Sequence, residues 1–289
     1  MNNPIDPQIT LGVVALTVSN FAQSLPFYQE RIGLTLRRQE GNKAYLGTST
    51  QDLLLLHEDQ NATPIQARSG LYHFALLVST RLALAQVFKH LIDTETPLQG
   101  VSDHHVSEAI YLADPDGNGI EIYRDRPRNE WPYRSGQLQI GTVAMDIEGV
   151  LGELANATTA WSGLDDKTKM GHIHLHVANL EREESFYRNT IGFDLIMRYG
   201  TAASFLSAGG YHHHVGMNTW SRVGPTFPPA NATGLQWYTI QFPNQNTLAS
   251  TLENLQAANV QFQEKEDGIY LQDHSQNGIR LTVIDEETV

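Results

Sequence analysis

The sequence predicts an α+β protein made of four copies of one unit: a strand, a helix and about three further strands. Two internal repeats and a shared closing motif predict it. VVALTVSNFAQSLPFYQERIGL, from Val13, aligns without a gap on HIHLHVANLEREESFYRNTIGF, from His172, at a constant offset of 159. Val18 meets Val177, Phe27-Tyr28 meets Phe186-Tyr187, and Gly33 meets Gly192. GLYHFALLV, from Gly70, aligns on GLQWYTIQF, from Gly234. Self-similarity at a fixed spacing marks a repeated structural unit.

Unit one begins near Ile9 with an alternating strand. A helix follows and ends at Ile32-Gly33, where glycine takes positive φ without strain. Unit two begins near Gly70, has a helix over 81–92, and closes on YLADPDGNGIEIY from Tyr111. Asp-Pro-Asp-Gly-Asn-Gly is strong turn chemistry and sets the register of the strand that carries Glu121. Residues 126–169, with RPRNEWPY at their start, are too long for a bare loop. A short strand is expected there over 137–145 and a helix over 147–156. Unit three begins near Gly171. Unit four begins near Gly234, has a helix over 247–259, and closes on YLQDHSQNGIRLTV from Tyr270. The expected division is 1–125 for the first pair of units, 126–169 for the connection and 170–289 for the second pair.

Composition narrows the function. With 289 residues, 40% of them hydrophobic and 18% charged, the chain can bury a sizeable core and is not a disordered one. A net charge of −13 argues against nucleic acid and anionic membrane surfaces as partners. The absence of cysteine removes disulfides, thiolate metal sites and cysteine nucleophiles. Apolar runs such as Leu53 to Leu56 are far too short to span a bilayer. MNNPIDPQIT does not read as a secretion signal, so the Asn-Ala-Thr triplets at Asn61, Asn156 and Asn231 are chance matches, and a soluble cytoplasmic protein is expected. The 12 histidines, several of them clustered, are the compositional oddity.

The Phe-Tyr pairs at 27–28 and 186–187, Gly171-His172, Tyr72-His73-Phe74 and the Asp114 to Tyr123 segment, in their fourfold order, resemble the vicinal oxygen chelate superfamily. Glyoxalase I, bleomycin-resistance proteins and extradiol dioxygenases belong to it, and the sequence is most similar to its catechol 2,3-dioxygenase-like members. The resemblance covers nearly the whole chain. It implies two cupped mixed β-sheet modules with helices outside, each made by two facing units. Metal ligands then project from the first strand of each unit and the last strand of one or both.

Unit three offers His172 at such a position, where unit one has Val13. Unit two offers His73 and Glu121, where unit four has Trp237 and Arg280. Valine and tryptophan cannot ligate, and arginine carries the wrong charge. Pairing units in sequence order gives two incomplete sites. Pairing two with three, and one with four, collects His73, Glu121 and His172 in one cup and leaves the other metal-free. Two imidazoles and a carboxylate suit non-haem Fe(II) oxygen chemistry, and Mn(II) can occupy the same set.

Glyoxalase I uses a fourth protein ligand, and aligning YHHHVGMNTW on its strand puts Val215 there. Strand alternation turns Tyr211, His213 and Val215 toward the cup and leaves His212 and His214 on a solvated edge. The resemblance implies that His213 is an acid/base group, that Tyr111 hydrogen-bonds substrate or oxygen, and that His104 contacts the diol oxygens. His174 and His176 share a face with His172 and line the cup. The resulting expectation is an Fe(II)-dependent extradiol dioxygenase acting on a catechol-like aromatic diol and O2. The alternatives are a glyoxalase-like isomerase or lyase and a metal-free binding module. The fold also allows homo-oligomers paired through exposed edge strands.

Overall fold

The computed structural model describes residues 3–64, 68–221, 227–229 and 231–284. Unit one comprises β1 (Thr10–Val18), α1 (Phe21–Pro26), β2 (Thr35–Glu40), β3 (Lys43–Gly47) and β4 (Asp52–Glu58). Unit two comprises β5 (Gly70–Leu77), α2 (Arg81–Asp93), β6 (Leu98–Asp103), β7 (Ser107–Ala113) and β8 (Gly119–Asp125). The connection holds β9 (Tyr133–Arg134), β10 (Gln137–Leu138) and α3 (Ile147–Gly152). Unit three comprises β11 (Lys169–His176), α4 (Leu180–Phe186), β12 (Asp194–Tyr199), β13 (Ala203–Ser207) and β14 (Val215–Asn218). Unit four comprises β15 (Gly234–Phe242), α5 (Gln245–Ala257), β16 (Phe262–Lys265), β17 (Gly268–Gln272) and β18 (Gly278–Val283).

Local chemistry sets the helix ends. Asn20, Thr80, Asn179 and Asn244 each cap a helix by accepting a backbone N–H of its first turn. Because Asn244 is the cap, α5 starts two residues earlier than expected. α1 and α4 each run on into a π-helical turn, Phe27–Ile32 and Tyr187–Ile191. Both turns end on a left-handed glycine, Gly33 at φ 86° and Gly192 at φ 103°.

Two eight-stranded mixed sheets result. One runs β16-β17-β18-β15-β1-β4-β3-β2 and the other β12-β13-β14-β11-β5-β8-β7-β6. Units one and four therefore share a sheet, as do units two and three, each joined by a central antiparallel pair. Alternation sends Ile173 and Leu175 of β11 into the same apolar core as Phe74, Leu76, Leu16 and Ile240, while His172 and His174 turn to the opposite face.

Consecutive units are tied by a buried phenol. Tyr28 donates to Asp114 Oδ2 at 2.8 Å, and Tyr187 donates to Asp273 Oδ2 at 3.2 Å. Among the described residues no helix is long and apolar enough to cross a membrane.

The connection differs from the expected strand over 137–145. Only Gln137 and Leu138 pair, with Arg134 and Tyr133, and a lone bridge joins Val143 to Asp103. Between these pairs the Gly141 carbonyl accepts the His104 Nδ1–H at 2.7 Å, and the segment passes as a loop.

Candidate metal centre

His73 on β5, Glu121 on β8 and His172 on β11 converge from three neighbouring strands. Both histidines stand beside a register shift in the β5/β11 ladder, where Tyr72 and Gly171 are the extra residues. Gly171 is required: a Cβ there would lie 1.9 Å from the Tyr123 hydroxyl. Glu121 Oε2 lies 3.0 Å from His73 Nε2 and 3.1 Å from His172 Nε2, and the two Nε2 atoms are 3.3 Å apart. All three side chains are buried.

This spacing fits a metal ion. Cis ligands ~2.1–2.2 Å from a six-coordinate first-row ion stand ~3.0 Å apart, and tetrahedral ones ~3.4 Å. Among the described residues this is the one group of three or more metal-ligating side chains so assembled. Burial alone would raise the Glu121 carboxyl, but the His172 and His73 imidazoles outweigh it and hold the group well below the carboxylate range. Burial pushes the His172 imidazolium down to about 4, against the opposing pull of Glu121, so the ring is neutral at neutral pH. A carboxylate at Glu121 and a neutral imidazole at His172 are protonation states that suit a cation.

His73 and Glu121 open on a cavity of about 520 Å³. Tyr111, His104 and His213 line it. His104 Nδ1–H is committed to the Gly141 carbonyl, so its Nε2 accepts from the Tyr111 hydroxyl at 2.7 Å. The His213 ring sits 4.1 Å from that of His172, centroid to centroid. Burial, then the neighbouring imidazoles His172 and His212, push His213 well below its ordinary value. His174 is buried and accepts from Asn218 Nδ2 at 3.0 Å, whose Oδ1 in turn accepts from His176 Nδ1 at 2.7 Å. Tyr72, Phe205 and Trp220 make an aromatic wall, and among the described residues no lysine or arginine lines the cavity.

Three expectations about the 211–218 segment are corrected. β14 begins only at Val215, so alternation does not extend back to Tyr211. Tyr211 turns away from the metal cavity and donates to Asp125 Oδ1 at 3.2 Å. His212 and His214 are buried rather than solvated. His214 Nδ1 bonds Ser207 Oγ at 3.0 Å, and burial pushes it down to about 3. Val215 pairs with Ile173 and faces the core, whereas Gly216 pairs with His174 on the cup face. Glu121 pairs with Ala75 in the same way in unit two. The fourth-ligand position is therefore Gly216, which has no side chain. A Cβ there would press on the His174 ring at 3.0 Å.

In the other sheet Trp237 pairs with Ala15 and Arg280 with Thr239, the registers that His73 and Glu121 hold. Arg280 stacks over the Trp237 ring at 5.1 Å and bonds the Asp267 carbonyl at 2.9 Å. Its ion-pair partner, the Asp267 carboxylate, is largely exposed rather than buried.

Fold and site together define a double-module protein of the cupped-sheet type with a buried side-chain set that could hold a metal ion. Residues 10–122 match the family described as Glyoxalase/Bleomycin resistance protein/Dioxygenase superfamily. A catechol-2,3-dioxygenase of Bacillus subtilis (strain 168) is 40% identical over 268 residues, 91% of this chain and 93% of the relative. The chain belongs to that superfamily and is a dioxygenase-like member of it. Its fold is shared with a Bacillus subtilis protein described as a candidate dioxygenase, at TM-score 0.65 and 13% identity over 98% of this chain and 86% of that one. Glyoxalase I from Zea mays gives TM-score 0.57 and 12% identity over 95% and 92%.

Proposed function

We propose that the protein is an Fe(II)-dependent extradiol dioxygenase that opens a catechol-like aromatic diol beside its two hydroxyls, incorporating O2. The observation that carries this reading is the buried His73–Glu121–His172 set with Gly216 at the fourth position. Three protein ligands leave room for a chelating diol and dioxygen together. A redox-active divalent ion there supplies the electron transfer between diol and dioxygen that ring opening requires.

The chain's own residues do the rest. The aromatic wall stacks the ring and excludes water. Tyr111, whose proton is given to His104 Nε2, presents its hydroxyl oxygen as an acceptor for a diol hydroxyl. His213, a neutral imidazole beside His172, is placed to take a proton and return it. With no lysine or arginine among the described lining residues, the reading favours uncharged ring substituents, and the protein's partners are a small aromatic diol and O2 in the cytoplasm. A glyoxalase-type isomerase would want the fourth ligand that Gly216 denies, and a metal-free binder has no use for a buried ligand set.

The test is anaerobic loading with Fe(II), then catechol under air. One O2 consumed per catechol with a yellow ring-fission product supports the reading. A neutral 4-alkylcatechol should exceed 3,4-dihydroxybenzoate in kcat/KM by at least ~10-fold, since a carboxylate buried without a partner costs more than ~1.4 kcal/mol. No O2 uptake, with Ni or Zn activity on a hemithioacetal, would overturn it.

A further inference from the structure

His213 is the inner end of a chain of three polar side chains. Its Nδ1 lies 2.7 Å from His212 Nδ1, and His212 Nε2 lies 2.9 Å from Asp125 Oδ1. Asp125 closes β8, four residues after the metal-facing Glu121. At the same place after Arg280, the metal-free sheet has Ile284.

The chain has a direction. A carboxylate oxygen accepts, so His212 carries its proton on Nε2. Its Nδ1 is then a lone pair, and the contact with His213 needs a donor on the other side. That donor is His213 Nδ1–H. The nitrogen left to His213 for the cavity is Nε2, as an acceptor.

The outer links are built firmly. His212 is buried, with the Tyr211 ring 4.0 Å away and the Trp131 ring 5.5 Å away. Trp131 belongs to the RPRNEWPY segment and is anchored by its indole N–H on the Arg126 carbonyl at 2.8 Å. Asp125 Oδ1 also accepts from the Tyr211 hydroxyl, which in turn accepts from Tyr123 at 2.7 Å. A buried imidazole with both nitrogens bonded has one ring orientation.

We propose that Asp125 and His212 are positioning residues that lock His213 in its Nδ1–H tautomer and so present Nε2 to the cavity as the proton acceptor. This rests on the proposed ring-cleaving role of His213 for its meaning, but not for its test.

Long-range ¹H–¹⁵N spectra of histidine-labelled protein read ring tautomers directly, with His213→Phe assigning the signal. The expected result is a single Nδ1–H tautomer at His213 in the wild type. In Asp125→Ala it becomes a mixture, and in Asp125→Glu it returns. In the iron-loaded enzyme, Asp125→Ala should lower kcat roughly 10–100-fold, the usual cost of losing a supporting shell around a reactive group. Metal content and KM should hold, and Asp125→Glu should recover part of the rate. An Nε2–H tautomer in the wild type, or an unchanged His213 signal in Asp125→Ala, overturns the proposal. If no catechol is turned over at all, the ring-cleavage reading fails while the spectra still decide the tautomer. If Asp125→Ala does not fold, the wild-type spectrum alone decides.

Discussion

The two cups share a backbone and differ in chemistry. In each, the first strands of two units meet antiparallel with a register shift beside the inward residue. One cup places histidine, glutamate and histidine at the three inward positions, and the other places tryptophan, arginine and valine. Both sheets keep eight strands in the matching order. What separates the two cups is thus three side chains on a shared scaffold, and the second cup is an internal control for the metal site proposed in the first.

The comparison can be broken most sharply at Glu121. Glu121→Ala removes the anionic ligand and leaves two neutral imidazoles. Bound metal, measured by elemental analysis, should fall by more than the ~10–100-fold typical of losing an outer-shell partner, and ring cleavage should vanish with it. His213→Phe should fail differently, keeping its metal while turnover falls ~10²–10⁴-fold. Metal loss equal to that of Glu121→Ala would make His213 a ligand.

A smaller effect separates the halves by pH. Glu183 and Asp273 form a buried carboxyl pair that Ser24 and Asp114 replace in the first half. Burial first, then Asp273, pushes Glu183 up to about 8, and burial raises Asp273 to about 6. Below the ordinary carboxyl value both states are protonated and nothing is lost. As pH rises toward 8 the unfolded chain ionises while the folded one keeps its protons, so stability falls across that window. Glu183→Gln should flatten the fall and raise Tm at pH 8.5 by on the order of a few °C, with no gain at pH 4.5. A decline as steep as wild type would place the linkage elsewhere. The smallest effect is expected at Trp237: Trp237→His alone should leave metal at one equivalent per chain and turnover unchanged. A second equivalent would show that the other cup is one substitution from binding.

Much of this was legible in the sequence because repeats transmit register. The offset of 159 carried His172 onto Val13, and the Gly70/Gly234 alignment carried His73 onto Trp237, before any strand was placed. Turn chemistry at Asp114–Asn118 fixed Glu121. What failed was alternation across residues 211–214. That segment is not a strand, so a period of two had nothing to act on. His212 and His214 found partners in Asp125 and Ser207, distant or irregular contacts that no local pattern encodes. The slip from Gly216 to Val215 has the same origin, since the register there is set by pairing with β11. The π turns after α1 and α4 were also silent, though both occur at the same point of the repeat and only the first is preceded by a proline, Pro26.

The pairing of unit two with three inside that of one with four nests one sheet within the other along the chain. Every metal ligand has left the ribosome once residue 172 has, and the inner sheet is complete at Asn218. The outer sheet is only half made at that moment. β1 to β4 then wait with the β1 edge unpaired until β15 arrives, bringing Gln241 to Thr10. An open edge of that length is a template for the wrong strand, and contacts so distant in sequence form slowly. The hazardous interval in the synthesis of this protein therefore falls late, after the sheet that holds His73, Glu121 and His172 is finished, and it ends only when the outer sheet closes.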